Sequence, residues 1–294
     1  MSDFVQQQSV ECRFDSSDSW VILSPIEQSI KRKIESVGTP LKDWDIQINY
    51  GIKTGFNDAF IINTEKRNEI LDNCSSEEER TKTAELIRPI LRGRDIKRYG
   101  YDWANLWLIN THNGIKGVKP RIDVNDYPAI KAHLDQYWDK ISKRADKGDT
   151  PYNLRNCAYL DDFFKPKVMW KIIGCNINFS FDDGTMICNN AVDIMTGQRN
   201  QLLQFLGLMN SKLFDWYLKL TTEAEVQGGG IQLYVTTLEK TLVKLDFPLY
   251  LSEIINQRVN GIASDKEVDN TIFESYKLTQ EEIDYILTCK QVDR

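Results

Sequence analysis

Apolar residues recur at helical spacing along several stretches of the chain. In residues 25–37, Ile26, Ile30 and Ile34 stand four positions apart, which places them on one face of an α-helix. A Ser-Pro pair before this stretch and Gly38 after it are typical start and stop signals, so an amphipathic helix is predicted here. Further helices are predicted over residues 65–88, 126–148, 201–221 and 278–287.

Two of these predicted helices have features that indicate how they pack. Residues 201–221 are strongly apolar, and we expect this helix to be buried on most of its sides. Thr279 and Glu282 have the spacing of a capping box at the start of the last helix. The pattern therefore predicts helical packing toward the C-terminus.

Shorter runs rich in β-branched and aromatic residues predict strands. The first two runs flank Thr-Gly-Phe-Asn-Asp, which has the composition of a turn, so we expect a hairpin-like connection there. The tip of this connection carries a cation, a hydroxyl and an amide, supplied by Lys53, Thr54 and Asn57. The predicted strands are residues 44–52, 59–63, 106–110, 166–174, 177–183 and 186–195.

These elements predict an α+β fold, in which a twisted, largely antiparallel sheet core is flanked by helices. We expect an N-terminal extension or linker over residues 1–20 and a main domain over residues 21–250. A small helical C-terminal subdomain is expected over residues 251–294. With 294 residues, of which 41% are hydrophobic, the chain is long enough to bury a core of this kind.

Composition indicates the compartment. No apolar run reaches membrane-spanning length, and the first twenty residues lack the basic-then-apolar pattern of a secretory signal. The six cysteines are scattered, as in a reduced cytosolic protein, and do not form a disulfide framework or a zinc motif. His112 and His133 are too isolated for a typical metal centre. We therefore expect a cytoplasmic protein with no membrane partner and no bound metal.

The charge is distributed unevenly. A net charge of −6 disfavours a general nucleic-acid coat protein. Residues 88–101, however, hold five cations against one carboxylate, and residues 142–148 and 163–171 are also basic. A basic face on an acidic protein is compatible with binding of duplex DNA, while a surface covered by ion pairs would give the same pattern.

Catalytic motifs are missing from the sequence. The glycines around Lys53 and Thr54 do not have the spacing of a nucleotide-binding P-loop. The sequence has no Gly-x-Ser-x-Gly elbow, no His-Glu-x-x-His pair and no glycine-rich dinucleotide fingerprint. Asp95 and Lys97 have the spacing that ends a metal-dependent nuclease core, but no metal-binding acid in an upstream strand accompanies them. As a nuclease, the chain would cleave DNA in the presence of magnesium.

Two sequence blocks are more specific. Residues 51–60 follow the pattern Gly-x-x-Thr-Gly-x-x-x-Ala-Phe, and residues 91–99 follow Leu-Arg-Gly-Arg-Asp-Ile-x-Arg-Tyr. With "LWLINTHNG" and "LGLMNSKLFDWYLK" in the same order, they resemble the C-terminal target-recognition region of TaqI-type adenine DNA methyltransferases. That region also occurs in fused restriction-modification enzymes and in phage-defence methyltransferases. The resemblance extends over about residues 20–290.

The resemblance implies that residues 21–250 form a DNA target-recognition domain. The chain would then be the specificity half of an adenine-N6 DNA methyltransferase or restriction-modification enzyme, without a catalytic centre of its own. The Asn-Pro-Pro-Tyr motif and the glycine-rich S-adenosylmethionine site of the family are both missing, and "TPYNL" at residues 150–154 has the wrong order. We therefore expect no cofactor in this chain. The resemblance implies that S-adenosylmethionine is bound by an upstream methyltransferase domain or subunit. This domain or subunit and double-stranded DNA are the expected partners.

The resemblance and the basic clusters nominate residues for DNA contact. For Arg94 and Asp95, an internal ion pair that fixes the following strand is an equal alternative, and Lys167 and Lys171 fit a solvent-facing sheet surface equally well. The candidates for phosphate contact are Lys53, Thr54, Arg92, Arg94, Lys97, Arg98 and Lys143. The candidates for reading bases are Asn57, Asn113, Lys116, Lys119, Arg155 and Gln227.

A second interpretation stays open. The apolar helix and the C-terminal helices would also suit a protein-interaction module that docks on a methyltransferase or nuclease partner, and the acidic net charge favours this reading slightly. Such a module would bind no duplex in isolation.

Overall fold

The computed structural model describes residues 23–174, 178–221, 225–226, 230–244 and 246–288. Short 3-10 turns lie at Leu41–Asp43, Gly93–Asp95, Val124–Asp126 and Leu160–Phe164. The α-helices are α1 (Pro25–Val37), α2 (Asn57–Phe60), α3 (Thr64–Asp72), α4 (Glu77–Leu86), α5 (Pro128–Asp135), α6 (Trp138–Ile141), α7 (Arg199–Met209), α8 (Lys212–Thr221), α9 (Val235–Leu238), α10 (Leu249–Val259), α11 (Asp265–Ser275) and α12 (Gln280–Thr288). The strands are β1 (Gly38–Pro40), β2 (Ile46–Tyr50), β3 (Ile61–Asn63), β4 (Ile87–Leu91), β5 (Leu106–Ile109), β6 (Lys167–Lys171), β7 (Ile173–Gly174), β8 (Phe179–Asp182), β9 (Ile187–Cys188), β10 (Val192–Gly197), β11 (Glu225–Val226), β12 (Gly230–Gln232) and β13 (Leu242–Lys244).

The chain divides into two compact units. The first comprises residues 1–45, 173–177 and 203–294, and the second comprises residues 46–172 and 178–202. Both units therefore contain segments that are distant in sequence. The domain boundaries expected from the sequence stay a prediction. Within the described residues, no helix is long and apolar enough to cross a membrane.

In the first unit, α1 confirms the predicted amphipathic helix. Ser24 caps it in a capping box with Glu27, whose carboxylate accepts from the Ser24 backbone N–H at 2.7 Å. The apolar face is buried through Ile30 and Ile34. After Val37 the chain becomes extended at Gly38, and β1 pairs antiparallel with β13. The start and stop signals thus act where the sequence places them.

The capping box at the C-terminal end is also confirmed. Glu282 accepts from the Thr279 backbone N–H at 2.7 Å, and the Thr279 hydroxyl accepts from the Glu282 N–H at 3.3 Å. The Glu282 carboxylate also accepts from Lys33 in α1 at 2.6 Å, and these bonds lower the pKa of Glu282 against the effect of its burial. A single carboxylate thus caps α12 and joins it to α1.

Three predicted long helices are each divided in two. Polar residues start the second helix in two cases: the Ser76 hydroxyl accepts from the Glu79 N–H at 3.1 Å, and the Ser211 hydroxyl accepts from the Phe214 N–H at 3.2 Å. The apolar segment 201–221 is therefore α7 and α8, and most of its side chains are buried, as predicted. The predicted helix over residues 126–148 is the shorter pair α5 and α6.

The second unit contains two four-stranded sheets. One has the order β2-β10-β6-β8 and is antiparallel throughout. The other has the order β3-β5-β4-β9 and is antiparallel except for the parallel pair β4-β9. The largely antiparallel sheet core of the predicted α+β fold is thus confirmed.

The predicted hairpin between residues 44–52 and 59–63 is wrong. The two runs form β2 and β3, which belong to different sheets, and the short helix α2 lies between them. The reason lies in the backbone hydrogen bonds at the end of β2. The Gly51 N–H donates to Val192 at 2.9 Å and the Ile52 N–H donates to Cys188 at 2.7 Å, so the chain continues beside β9 and β10.

Gly51 is required at this crossing. A Cβ atom on Gly51 would lie 1.9 Å from the Asn189 carbonyl oxygen and 2.6 Å from the Val192 carbonyl oxygen, which are both backbone atoms. We expect Gly51→Ala to lower the free energy of unfolding by roughly 3 kcal/mol, measured by urea denaturation. In the control variant Gly100→Ala, the added Cβ meets nothing within 4 Å, so its cost should stay below about 1 kcal/mol. Equal costs for the two variants would contradict the proposed close approach.

Candidate nucleic-acid interface

Three loops of the second unit meet at one place. They are residues 51–57, residues 111–122 and residues 142–156, and we refer to them together as the three-loop cluster. The first contains the Gly-x-x-Thr-Gly block. Side-chain and backbone hydrogen bonds join the third loop to each of the other two. The cluster holds most of the base-reading candidates and three of the phosphate-contact candidates, Lys53, Thr54 and Lys143.

Arg144 lies at the centre of the three-loop cluster. Its side chain is buried, and the guanidinium lies over the Phe60 ring, 4.4 Å from the ring centroid. Burial lowers the pKa of Arg144 to about 10, so the group stays charged at neutral pH. It therefore binds the first loop to the third through charge-assisted hydrogen bonds. The acceptors are the backbone carbonyl groups of Thr54, Asp146, Pro151 and Asn153.

Thr54 and Gly55 of the first loop are used for packing. Thr54 is buried, and its hydroxyl donates to the Asn57 side-chain oxygen at 2.6 Å. Gly55 has a φ of +71°, and a Cβ there would lie 2.6 Å from the Asp146 carbonyl oxygen. In this geometry the Thr54 hydroxyl orients the exposed Asn57 instead of facing solvent. Asn57 is therefore the group of this pair that is available to a ligand.

Asn113 joins the second loop to the third. Its side-chain N–H₂ donates to the Asp149 carboxylate at 3.0 Å, and its side-chain oxygen accepts from the Asp149 backbone N–H at 2.8 Å. The same N–H₂ group also contacts the Asn156 side-chain oxygen. Nearby, the Thr111 hydroxyl donates to the Tyr152 carbonyl at 2.7 Å. Both polar ends of the Asn113 amide are thus engaged within the three-loop cluster.

Two candidate cations share one carboxylate. Lys53 Nζ lies 2.9 Å from Asp146 Oδ2, and Arg155 Nη1 lies 3.2 Å from Asp146 Oδ1. The Lys53 and Arg155 side chains are 49% and 59% exposed, so both cations remain open to solvent. The hydrogen bond from Lys53 is the largest influence on the Asp146 carboxyl and lowers its pKa.

The remaining lysines of the three-loop cluster differ in their partners. Lys119 Nζ lies 3.0 Å from Asp161 Oδ1. Lys116 lies at the exposed tip of the second loop, beside Gly117 with a φ of +75°, and Lys143 is exposed in the third loop. Within the described part of the chain, the ammonium groups of Lys116 and Lys143 form no ion pair. Within the three-loop cluster, these two exposed lysines are therefore available to an external anion.

The basic run forms a separate turn after β4. Arg92 donates to both carboxylate oxygens of Asp95, at 3.0 Å from Nε and 2.8 Å from Nη2. Of the two alternatives for Arg94, the ion pair with Asp95 is therefore wrong, because Arg92 binds the buried carboxylate and Arg94 is exposed. Lys97 donates to the Arg94 carbonyl at 3.0 Å. The Arg98 guanidinium lies 5.6 Å from the centroid of the Tyr99 ring.

The Arg92 contact also bears on the nuclease interpretation. Both oxygens of Asp95 are bound by a guanidinium, and these bonds lower the carboxyl pKa against the effect of burial. Within the described residues, no group of three or more His, Cys, Asp or Glu side chains is arranged to hold a metal ion. The geometry gives Asp95 a structural role in the turn.

The turn between β9 and β10 lies between the two sequence blocks of the family resemblance, residues 51–60 and residues 91–99. On one side, Ile52 forms a parallel bridge with Asn189. On the other, the Asn189 N–H donates to the Leu91 carbonyl at 2.9 Å, and a Cβ on Gly93 would lie 3.2 Å from the Ala191 carbonyl oxygen. The fold therefore brings the two blocks to opposite sides of one short turn.

Lys167 is buried. The interpretation that it lies on a solvent-facing sheet surface is therefore wrong. Lys167 pairs with Asp182, and both side chains are almost completely inaccessible. Asp182 also accepts from the Thr185 hydroxyl at 2.6 Å and from the Tyr101 hydroxyl at 3.2 Å. The large number of bonds to the charged form lowers the pKa of the Asp182 carboxyl despite its burial. This pair fixes the turn that leads into β9.

The sequence interpretation missed Arg144 and Asp146. Both lie in the basic stretch "SKRADKG", where only Lys143 was nominated. No local signal distinguishes Arg144 in this stretch, because its role depends on carbonyl groups in loops that the sequence does not show to be adjacent. Gln227 lies outside the described residues.

Comparison with known proteins gives a family and a fold. A family model described as the TaqI-like C-terminal specificity domain matches residues 88–241. Among curated proteins, none matches the chain significantly in sequence. The structure of the type IIL restriction-modification enzyme MmeI in complex with DNA is similar, with a TM-score of 0.56 and 14% identity, over 84% of this chain and 35% of that chain. The type IIG restriction endonuclease BpuSI is similar with a TM-score of 0.58 and 14% identity, over 89% of this chain and 31% of that chain. The chain thus spans about a third of the length of either enzyme, and the likeness shows a shared fold.

Proposed function

Since the chain belongs to the family of TaqI-like C-terminal specificity domains, we propose that it recognises a DNA sequence for a linked modification or restriction enzyme. The specific form of the proposal is the specificity half of an adenine-N6 DNA methyltransferase or a restriction-modification enzyme. The methyltransferase domain, its S-adenosylmethionine and any nuclease activity would then belong to another domain or subunit. The chain itself supplies DNA contacts.

The charge of the three-loop cluster is the observation that carries this proposal. The cluster has only two carboxylates, Asp146 and Asp149, although the whole chain has a net charge of −6. A local excess of cations on exposed loops attracts the phosphate backbone of a duplex. The eight cations of the cluster are Lys53, Lys116, Lys119, Arg121, Lys143, Arg144, Lys147 and Arg155.

The cluster also combines the two kinds of contact that target recognition needs. The ammonium groups of Lys116 and Lys143, which form no ion pair with the described residues, suit phosphates, and phosphate contacts position a protein on DNA without reading sequence. Exposed Asn57 and Arg155 have side chains that form paired hydrogen bonds with base edges in the major groove. The buried Arg144 fixes the loops that present them. Such a surface would hold the duplex while a separate domain acts on the target adenine.

The proposal is tested by selecting sequences from a random duplex pool with the purified chain, alone and with its methyltransferase domain added. We expect one motif to be enriched. Lack of enrichment together with lack of salt-dependent duplex binding would overturn the proposal and favour the protein-interaction module.

Two lysine variants locate the surface. We expect Lys116→Ala and Lys143→Ala each to lower the magnitude of the slope of log K against log salt by about 0.9, since each removes one phosphate contact. Each variant should also bind all duplexes more weakly, to the same extent for every sequence. Lys266→Ala is the matched control, because this lysine is exposed in α11 of the first unit and its ammonium forms no ion pair with the described residues. The binding is measured by fluorescence anisotropy at several salt concentrations. If the control and the two variants change the slope equally, the three-loop cluster is not the DNA surface.

A further inference from the structure

Asp146 has a position that the proposed DNA contacts do not explain. Its carboxylate lies on the basic surface of the three-loop cluster, where a negative charge repels DNA phosphates. It binds Lys53 through one oxygen at 2.9 Å and Arg155 through the other at 3.2 Å. Both cations are candidates for DNA contact. A surface that served only for tight binding would have no use for this carboxylate.

The Asp146 carboxylate is also not required to hold the loops together. It is the backbone carbonyl of Asp146 that accepts from Arg144, at 2.8 Å, and the same carbonyl oxygen packs beside Gly55. The side chain instead points to the two exposed cations. Ion pairs of this exposure contribute little to stability, so the pair of Asp146 with Lys53 adds little to the connection that Arg144 makes between the first and third loops.

We propose that Asp146 is a specificity-determining residue, which holds Lys53 and Arg155 away from the phosphates of non-cognate DNA and orients Arg155 toward the bases of the cognate site. This inference rests on the proposed DNA-recognition function. On a duplex that offers only phosphates, the Asp146 carboxylate offsets the charge of both cations and repels the phosphates, which weakens non-cognate complexes. On the cognate site Arg155 keeps its contact to Asp146 through Nη1 and uses its remaining N–H groups on a base edge.

Asp146→Asn tests this inference, because asparagine keeps the size and the backbone but removes the charge. We expect the variant to bind a random-sequence duplex on the order of tenfold more tightly at 100 mM salt, with a slope of log K against log salt steeper by roughly 1.8, since two cations become free for phosphates. The affinity of the variant for the motif that the wild-type chain selects should not increase. The ratio of cognate to random affinity should therefore fall by about tenfold.

Asp139→Asn is the matched control. Asp139 is exposed in α6 of the same unit, its carboxylate has no hydrogen bond or ion pair with the described residues, and the substitution changes the net charge equally. We expect no comparable gain in this variant. The variant that combines D146N with K53Q and R155Q should lose the gain, because the released cations are then absent.

The outcomes separate the two proposals. Equal random-duplex affinity in D146N and D139N, with both proteins folded by thermal melting, would overturn the role of Asp146 whatever motif the wild-type chain selects. A gain in D146N that persists in the combined variant would also overturn it. A gain that depends on Lys53 and Arg155, in a chain that enriches no motif, would support the release of cations but remove the proposed function and with it the claim of specificity.

Discussion

Asp193→Asn is expected to stabilise the protein at pH 8 and to reduce the dependence of its stability on pH between 5 and 8. Asp193 lies in the central strand β10, opposite Tyr50 in β2 and Trp170 in β6. The side chain is completely buried, and neither carboxylate oxygen has a hydrogen-bond partner among the described residues. Burial raises the pKa of this carboxyl to about 7. An uncompensated charge in a sheet is costly, so its removal should be favourable.

The direction of the pH effect follows from proton linkage. In the unfolded chain an aspartate has a pKa of about 3.9, well below the value of about 7 in the folded state. Between these values the folded state binds more protons than the unfolded state, so the contribution of Asp193 to stability falls as the pH rises and becomes constant above pH 7. At about 1.4 kcal/mol for each pKa unit, the full loss is roughly 4 kcal/mol.

Urea denaturation at pH 5 and at pH 8 measures this effect. We expect the free energy of unfolding of Asp193→Asn to exceed that of the wild-type chain by roughly 2–3 kcal/mol at pH 8, with a smaller difference at pH 5, because the amide stays neutral. Asp139→Asn, which changes an exposed carboxylate, should follow the wild-type pH profile. If Asp193→Asn were less stable than the wild-type chain at pH 8, the carboxylate would have a stabilising partner.

The features that the sequence predicted well depend on neighbouring residues. The Ser24 and Thr279 caps are formed within three residues of their partners. Strand β5 is defined by a short apolar run that is visible locally. In such cases the contacts that stabilise the structure are made between residues close in sequence, so the sequence pattern predicts the element.

The features that the sequence missed depend on contacts between distant residues. The bond from Arg144 to the Thr54 carbonyl spans 90 residues, and Lys167 is buried because Asp182, 15 residues away, neutralises it. The failed hairpin has the same cause, since β2 finds its partner in β10. A turn composition shows that a chain can reverse direction, but hydrogen bonds to a distant strand decide whether it does.

The candidate site shows this division most clearly. Lys53, Lys143 and Arg155 were recognisable as exposed cations from their local composition. The residue that orders them was not, because an arginine within a basic stretch looks like one more surface charge. Only the carbonyl groups around Arg144, contributed by two loops, reveal its role.

Arg144→Met is therefore expected to be among the most damaging single substitutions in the second unit. Methionine keeps much of the buried volume beside Phe60 but removes a donor from four backbone carbonyl groups, of which the Asn153 carbonyl keeps a second donor, the Gly148 N–H at 3.0 Å. At about 1–3 kcal/mol for each buried group left unsatisfied, and with partial access of water to the loosened loops, we expect a loss of roughly 3–5 kcal/mol in the free energy of unfolding. Arg144→Lys should recover only part of this, because an ammonium has three donors and cannot span the same carbonyls.

Local disorder in the three-loop cluster should precede global unfolding of the Arg144→Met variant. We expect faster tryptic cleavage after Lys143 and Lys147 and faster amide exchange at Leu154, whose N–H donates to the Thr111 carbonyl at 2.9 Å. Arg155→Met is the control, because it removes an arginine of the same loop that is exposed and has a single ion pair. A variant at Arg144 that matched this control in stability, cleavage and exchange would show that the buried guanidinium does not hold the loops. If instead the loops loosen, duplex affinity should fall for all sequences, because the cations of the cluster would lose the fixed spacing that matches them to phosphates.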